Sequence, residues 1–151
     1  MQAAVTEASR AYRFLASAVS VLSLAGAIVS GISLQRHFAK SATTYCDFSE
    51  KFNCDIVNRS EYSTVAGLPV AGIGVAGYIA LFVLSTFRPS RPETPNWLLA
   101  ASAAGLAFAL YLTYIEAYVL TTWCVLCLAS LALISLICIF SVVIRVKTPR
   151  A

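Results

Sequence analysis

The stretch CVLCLASLALISLICIFSVVI, residues 124–144, contains no charged side chain and opens on a pair of cysteines. A helix rises about 1.5 Å per residue, so a stretch of this length crosses a hydrocarbon core about 30 Å thick. Cysteines three residues apart lie on one face of a helix. A helix N-terminus also favours the thiolate, which is the reactive form of cysteine. The stretch therefore predicts a transmembrane helix whose first turn carries a reactive dithiol, Cys124 and Cys127.

Three other apolar stretches are long enough to cross a bilayer, at residues 14–35, 67–87 and 97–120. Of the 151 residues, 59% are hydrophobic and 12% are charged, whereas soluble domains average roughly 25% charged residues. We therefore predict an integral membrane protein with an all-α fold. Its architecture is a four-helix transmembrane bundle that forms a single domain over residues 1–151.

The connections between the spans are unequal in length. Residues 36–66 are predicted to form one large loop, which contains a short helix that starts near Asp55. Residues 88–96 include three prolines and are predicted to form a turn that cannot continue a helix. Pro69 is expected in the first turn of the second span, where a missing backbone N–H costs little.

The basic residues predict how the chain is oriented, because Lys and Arg are more frequent in cytoplasmic loops. With four spans, both termini and the 88–96 turn share one side of the membrane. That side holds seven of the 11 basic residues, namely Arg10, Arg13, Arg88, Arg91, Arg145, Lys147 and Arg150. The 36–66 loop holds the other four, Arg36, Lys40, Lys51 and Arg59, and they are balanced by four acidic residues. We predict cytoplasmic termini, with the loop and the 124–127 pair at the extracytoplasmic face.

The cysteines form two pairs on that face, where disulfides persist. Five are present: Cys46, Cys54, Cys124, Cys127 and Cys138. Two dithiols within reach can pass a disulfide through a mixed-disulfide intermediate. Three alternatives stay open: a structural loop disulfide worth 2–4 kcal/mol, an accidental Cys-x-x-Cys, and a zinc site, which the spacing and a single histidine disfavour. Cys138 has no partner at its depth and is expected to be a small apolar core residue.

In their order along the chain, these features resemble the vitamin K epoxide reductase family in its bacterial branch. The resemblance rests on Cys46-x7-Cys54 in the first outer loop, Ser60 six residues later, and Cys124-Val-Leu-Cys127 opening the last helix. The disulfide bond formation protein B family also has four helices and similar chemistry. It carries its two cysteine pairs in the reverse order, so we disfavour it.

The resemblance implies an electron route across the four cysteines. A separate thioredoxin-fold, DsbA-like protein would deliver electrons to Cys46, and Cys54 would then attack Cys124. Cys127 would reduce a membrane quinone of the ubiquinone, menaquinone or phylloquinone type, and Ser60, on the short helix that starts near Asp55, would line its pocket. The resemblance also implies the cytoplasmic membrane of a bacterium. No thioredoxin-like domain follows the last span in this sequence, so the thiol partner is expected in trans; no nucleic-acid partner and no metal are expected.

Two positions depart from the vertebrate enzymes of the family. Leu131 stands where they carry a tyrosine, and Leu68-Pro69 stands where they place an asparagine. In the vertebrate enzymes these residues are associated with vitamin K epoxide. Their absence here therefore favours plain quinone reduction over epoxide reduction. A vitamin K epoxide reductase proper, and a non-catalytic membrane protein with a structural loop disulfide, remain the alternatives.

The third span carries an aromatic stripe, formed at 100° per residue by Phe108, Tyr111, Tyr114, Ile115 and Tyr118. Such a stripe can line the pocket of a planar quinone, and Phe108, Tyr111 and Tyr114 are the pocket candidates. The alternative is interfacial anchoring of the aromatic rings. Glu116 is an acid within a membrane span, which is a functional candidate by default. Three roles stay open for it: a proton donor to the quinol, a solvated residue at the rim, or a partner for a loop cation such as Arg59 or Lys51.

Overall fold

The computed structural model describes residues 2–39, 46–89 and 91–148. Within these residues lie four helices long and apolar enough to cross a membrane. In chain order the helices are α1 (Gln2–Phe38), the short α2 (Cys54–Asn58), α3 (Val70–Phe87), α4 (Thr94–Tyr114) and α5 (Val125–Lys147). The end of α4 continues as a π-helical turn, Ile115–Leu120. The predicted all-α membrane bundle with one large loop is confirmed.

Three helix boundaries differ from the sequence prediction. Helix α1 begins at Gln2 rather than at residue 14, because its polar first turns contain no proline or glycine to stop it. Helix α4 begins at Thr94 with Pro95 in its first turn, a position that needs no donor, so the predicted 88–96 turn is too long. Pro69 precedes α3 as its N-cap instead of lying within its first turn. Lys40 and Arg150, which entered the charge count, lie outside the described residues.

The described part of the loop is more ordered than the sequence indicates. Strands β1 (Asp47–Ser49) and β2 (Phe52–Asn53) form an antiparallel hairpin, as do β3 (Thr64–Val65) and β4 (Leu68–Pro69). The predicted short helix is confirmed as α2, and the Asn53 side chain caps it by accepting the Ile56 N–H at 3.1 Å. Helix α2 ends at Asn58, so Ser60 is not on it; Ser60 precedes a 3₁₀ turn instead.

Large apolar side chains fill the centre of the bundle. All four long helices contribute buried residues to this core, namely Val19, Tyr78, Leu81, Leu98, Ile134, Ile137 and Ile144. Gly26 on α1 leaves room for the Tyr78 ring, because a Cβ on residue 26 would collide with that ring. Tyr78 donates its hydroxyl to the Ser130 carbonyl on α5 at 2.9 Å. Many large apolar residues remain exposed on the outside of the helices, as lipid-facing surfaces require.

The two ends of the bundle carry different connections. At one end the Tyr12 hydroxyl donates to the Pro89 carbonyl, which joins α1 to the turn between α3 and α4. A small cavity of about 280 Å³ at this end is lined by Tyr12, Pro89 and Lys147 among others. The large loop packs over the opposite end, against the start of α5. The structure therefore places the loop and the Cys124–Cys127 segment together.

Candidate functional site

The loop and the start of α5 are joined through their backbones. Asn53 donates its N–H to the Trp123 carbonyl at 3.1 Å, and Trp123 donates its N–H to the Lys51 carbonyl at 2.7 Å. Asn53 immediately precedes Cys54, and Trp123 immediately precedes Cys124. The pairing therefore brings the second loop cysteine next to the first cysteine of the Cys-x-x-Cys pair.

Four cysteines share one buried cluster at this junction. Cys54 and Cys124 are 0% exposed and Cys46 is 2% exposed, while Cys127 packs against them. Cys46 and Cys54 form a disulfide with a Cα–Cα distance of 5.7 Å, and Cys124 and Cys127 are free thiols. In the part of the chain that the structure describes, no group of three or more His, Cys, Asp or Glu residues could hold a metal ion.

Cys124 is the N-cap of α5 rather than its first residue, so the predicted helix start is early by one position. Its carbonyl accepts the first bond of the helix, from Leu128 N–H at 3.0 Å. The Cys127 thiol hydrogen-bonds to the Cys124 sulfur and lowers the pKa of Cys124 below its ordinary value; the nearby Glu116 carboxylate opposes this effect. Cys124 therefore loses its proton more easily than an ordinary cysteine does, and the resulting thiolate is the form that exchanges with disulfides.

Glu116 is buried beside these thiols, at 2% exposure. Its Oε2 accepts the Cys124 N–H at 3.1 Å, and its backbone carbonyl accepts the Thr122 N–H at 3.2 Å. The left-handed residue Thr121, with φ of 49°, ends the π-helical turn and folds the chain back onto Glu116. The prediction of a solvated rim residue is therefore wrong, and Arg59 pairs with Asp55 at 3.8 Å instead.

A cavity of about 390 Å³ opens beside Cys127 among the four long helices and the loop. Its size lies within the range of ligand pockets, roughly 300–1,000 Å³. The lining is mostly aliphatic and includes Phe108, Ser60, Glu116 and Cys127. Of the residues predicted to form a pocket, the structure brings Phe108 and Ser60 together with the dithiol.

The other predicted pocket aromatics lie outside this lining. Tyr111 is 52% exposed and Tyr114 is 57% exposed. Tyr111 stacks on Phe108 with ring centroids 6.4 Å apart, and Tyr114 contacts Tyr118 at 4.9 Å. The cavity thus meets the aromatic stripe at its Phe108 edge, and the tyrosines face outward, where amphipathic rings commonly lie in membrane proteins.

A polar group that the sequence did not single out also lines the cavity. The side chain of Asn58 is 6% exposed, and its Oδ1 accepts the Ser33 hydroxyl at 2.8 Å. The Asn58 carbonyl contacts His37 Nδ1 at 2.6 Å. Within residues 2–39, 46–89 and 91–148, Asn58 Nδ2 has no hydrogen-bond partner. Nothing in the sequence distinguishes this asparagine, because its partners come from α1, more than 20 positions away.

A loop disulfide packed against a Cys-x-x-Cys dithiol, with Cys127 lining an apolar cavity, is the arrangement of a membrane oxidoreductase that works through its cysteines. The sequence profile of the vitamin K epoxide reductase family matches residues 17–142, which covers all four spans in part or in full. The chain belongs to the vitamin K epoxide reductase family, and the membership predicted from the cysteine pattern is confirmed.

Proposed function

We propose that this protein catalyses disulfide formation by moving electrons from an extracytoplasmic thioredoxin-fold protein to a membrane quinone. In this proposal Cys46 and Cys54 receive the electrons and pass them to Cys124 and Cys127. The single observation that carries it is the backbone pairing of residues 51–53 with Trp123, which sets the loop pair against the second pair. Cys127 then lines the cavity in which an acceptor can lie.

The cavity fits a quinone in both chemistry and size. A quinone ring is planar and apolar and carries carbonyl oxygens, which accept hydrogen bonds and need a donor. Asn58 Nδ2 is a buried donor that lacks a partner among the described residues. The Ser60 hydroxyl already donates to the Val57 carbonyl at 2.8 Å, so Asn58 is the better donor to a quinone carbonyl. Phe108 offers an aromatic face on the same lining.

The two exchanges balance in electrons and protons. First, the reduced loop pair gives two electrons and two protons to the Cys124–Cys127 disulfide, which leaves the loop disulfide and a free dithiol. The structure has this redox state, with Cys46–Cys54 bonded and Cys124 and Cys127 free. Second, the Cys124–Cys127 disulfide forms again, and its two electrons and two protons convert a quinone into a quinol.

We also propose the orientation that the basic residues predict. The termini and the 88–93 turn would be cytoplasmic, and the loop with the dithiols would face the oxidising side of a bacterial cytoplasmic membrane. The packing of the loop over the dithiol end supports this proposal, because both cysteine pairs then meet the same compartment.

A trapping experiment tests the shuttle. In a Cys127→Ala variant, the Cys124 thiolate can attack the loop disulfide at Cys54 and free Cys46, but it cannot be resolved by Cys127. We expect a Cys54–Cys124 disulfide in non-reducing peptide mapping, together with complete loss of quinone reduction. The matched control is Cys138→Ala, since Cys138 is a free cysteine in α5 outside the buried four-cysteine cluster.

Two outcomes would contradict the proposal. Quinone reduction that survives in the Cys127→Ala variant would exclude Cys127 as the electron donor. A loop that keeps its Cys46–Cys54 bond in every redox state, with no bond to Cys124, would show that the loop disulfide is purely structural.

A further inference from the structure

Glu116 is an acidic side chain at a position where burial is energetically unfavourable. It lies in the π-helical turn that ends the third candidate membrane span, and it is 2% exposed. Burial of a carboxyl group without full hydrogen bonding is unfavourable, and more so when the group is charged. A purely structural residue at this position would not need an ionisable group. The surroundings of the carboxyl group show what this one can do.

The two carboxyl oxygens have different surroundings. Oε2 accepts the backbone N–H of Cys124 at 3.1 Å, which fixes the side chain at the start of α5. Oε1 is buried and has no hydrogen-bond partner within the described ranges 2–39, 46–89 and 91–148. Glu116 also lines the large cavity, so a carboxyl group with one unpartnered oxygen belongs to a residue that borders the space where an acceptor would lie.

Oε2 of this carboxyl group is hydrogen-bonded to the backbone of Cys124, which is three residues before Cys127 and therefore about one helical turn from it. Cys127 lines the cavity as well. Glu116 therefore lies beside a thiol that must lose its proton when the Cys124–Cys127 disulfide forms, and it lines the space where that proton is needed. The π-helical turn and the bond to Cys124 hold it there.

We propose that Glu116 is a catalytic residue that carries a proton from Cys127 to the acceptor in the cavity. This inference rests on the proposed function. As the S–S bond forms between Cys124 and Cys127, two electrons and two protons leave the dithiol; the Glu116 carboxylate takes the proton of Cys127 Sγ. Glu116 then releases that proton into the cavity. The second proton is the one that Cys124 gives up to water when it becomes a thiolate, and water returns it to the quinone, which takes two electrons and two protons in total and leaves as quinol.

Other titratable groups face the same cavity and bear on its pH dependence. They come from α1, α3 and the loop and are His37, Tyr78 and Tyr62. On the loop, Arg59 and Asp55 pair with each other. The hydrogen bond of the Glu116 carboxyl group to the Cys124 N–H joins it to the Cys-x-x-Cys segment, and the proposal therefore couples its protonation to the redox state of that pair.

The test compares Glu116→Gln with Glu93→Gln. Glutamine keeps an oxygen for the Cys124 N–H but cannot carry a proton; Glu93 is an exposed acid at the other end of α4. In nanodiscs with a soluble quinone, we expect Glu116→Gln to lower kcat by about 10²-fold, the usual scale of acid–base catalysis, with KM unchanged. Glu93→Gln should match the wild type. Glu116→Asp, which keeps the acid, should recover part of the lost rate.

A second readout does not require quinone or turnover. The reduced protein, free of quinone, is oxidised with diamide while infrared difference spectra are recorded. We expect a carboxyl C=O band that changes when the Cys124–Cys127 disulfide forms, that is absent in Glu116→Gln and that is displaced in Glu116→Asp. Absence of that band from the wild-type spectrum, or an unchanged kcat and pH profile in Glu116→Gln, would overturn the proposal.

The two readouts separate this inference from the proposed function. If the wild type does not reduce quinone but shows the Glu116 band on oxidation, the quinone assignment fails and the proton transfer stands. If the wild type reduces quinone without such a band, Glu116 is a positioning residue that holds Cys124, and the proton-carrying role is excluded.

Discussion

Asn53 donates its backbone N–H to the carbonyl of Trp123 at 3.1 Å. Each of these residues immediately precedes a cysteine, Cys54 or Cys124, so the backbone bond aligns the two cysteine pairs. The bond is made between backbone groups, so its geometry does not depend on which side chains stand at 53 and 123.

The first prediction separates the two donors of electrons. Replacing Cys46 with Ser should abolish oxidation of the thioredoxin-fold partner, because the loop can no longer form its disulfide with Cys54. Dithiothreitol should still reduce the Cys124–Cys127 disulfide and support quinone reduction. Stopped-flow measurement of quinol formation with each donor checks this. Equal loss of turnover with both donors would contradict a shuttle role for the loop.

The second prediction concerns the Cys124 thiolate. The hydrogen bond from Cys127 is the largest cause of the lowered pKa of Cys124. The fraction of thiolate rises as pH passes through the pKa, so a lowered pKa moves this rise to lower pH. In a background with Cys46→Ser, Cys54→Ser and Cys138→Ala, where the loop cannot trap Cys124, Cys127→Ala should titrate at higher pH than Cys127→Ser, which keeps a hydrogen-bond donor. Ultraviolet thiolate absorbance measures both midpoints, and coincident midpoints would contradict the assigned cause.

The third prediction tests Asn58 as the donor to a quinone carbonyl. Asn58→Asp keeps an acceptor for the Ser33 hydroxyl but replaces the Nδ2 donor with a second acceptor. A hydrogen bond contributes about 0.5–1.5 kcal/mol, so KM for quinone should rise on the order of 2- to 10-fold or more. Ser33→Ala is the matched control, since it removes the other bond of the Asn58 side chain and leaves Nδ2 in place.

The rate of Cys54–Cys124 exchange should not change in Asn58→Asp, because that step does not involve the cavity. An unchanged KM, or a KM that rises equally in Ser33→Ala, would show that Asn58 does not contact the quinone.

Much of this fold is predictable from composition, and part of the site is not. Apolar runs of about 20 residues can satisfy their backbone in a bilayer only as helices, so the four spans follow from hydropathy alone. The cysteine order predicts the family. The direction of the aromatic stripe does not follow from periodicity, because lipid-facing and pocket-facing rings share the same 100° spacing. Periodicity therefore does not separate Tyr111 and Tyr114, which lie outside the cavity lining, from Phe108, which is part of it.

The features of the site that were missed all depend on tertiary contacts. Glu116 is buried because the left-handed Thr121 folds the chain back so that Cys124 meets its carboxyl group. A turn of that kind has no marker when the residue is not glycine or asparagine. Asn58 matters through Ser33, a partner on another helix.

The last prediction tests the packing that shapes the cavity wall. Gly26 and Gly31 both lie in α1, but only at Gly26 would an added Cβ strike the Tyr78 ring; at Gly31 nothing lies within 4 Å. Gly26→Ala should lower the free energy of unfolding by about 1–3 kcal/mol, the usual cost of overpacking. Gly31→Ala should be neutral or stabilising by up to about 1 kcal/mol, because alanine favours a helix. Thermal unfolding in one detergent compares them, and equal midpoints would contradict the close contact between Gly26 and Tyr78. Because Tyr78 also lines the cavity, a displaced ring in Gly26→Ala should raise KM for quinone as well, whereas Gly31→Ala should leave it unchanged.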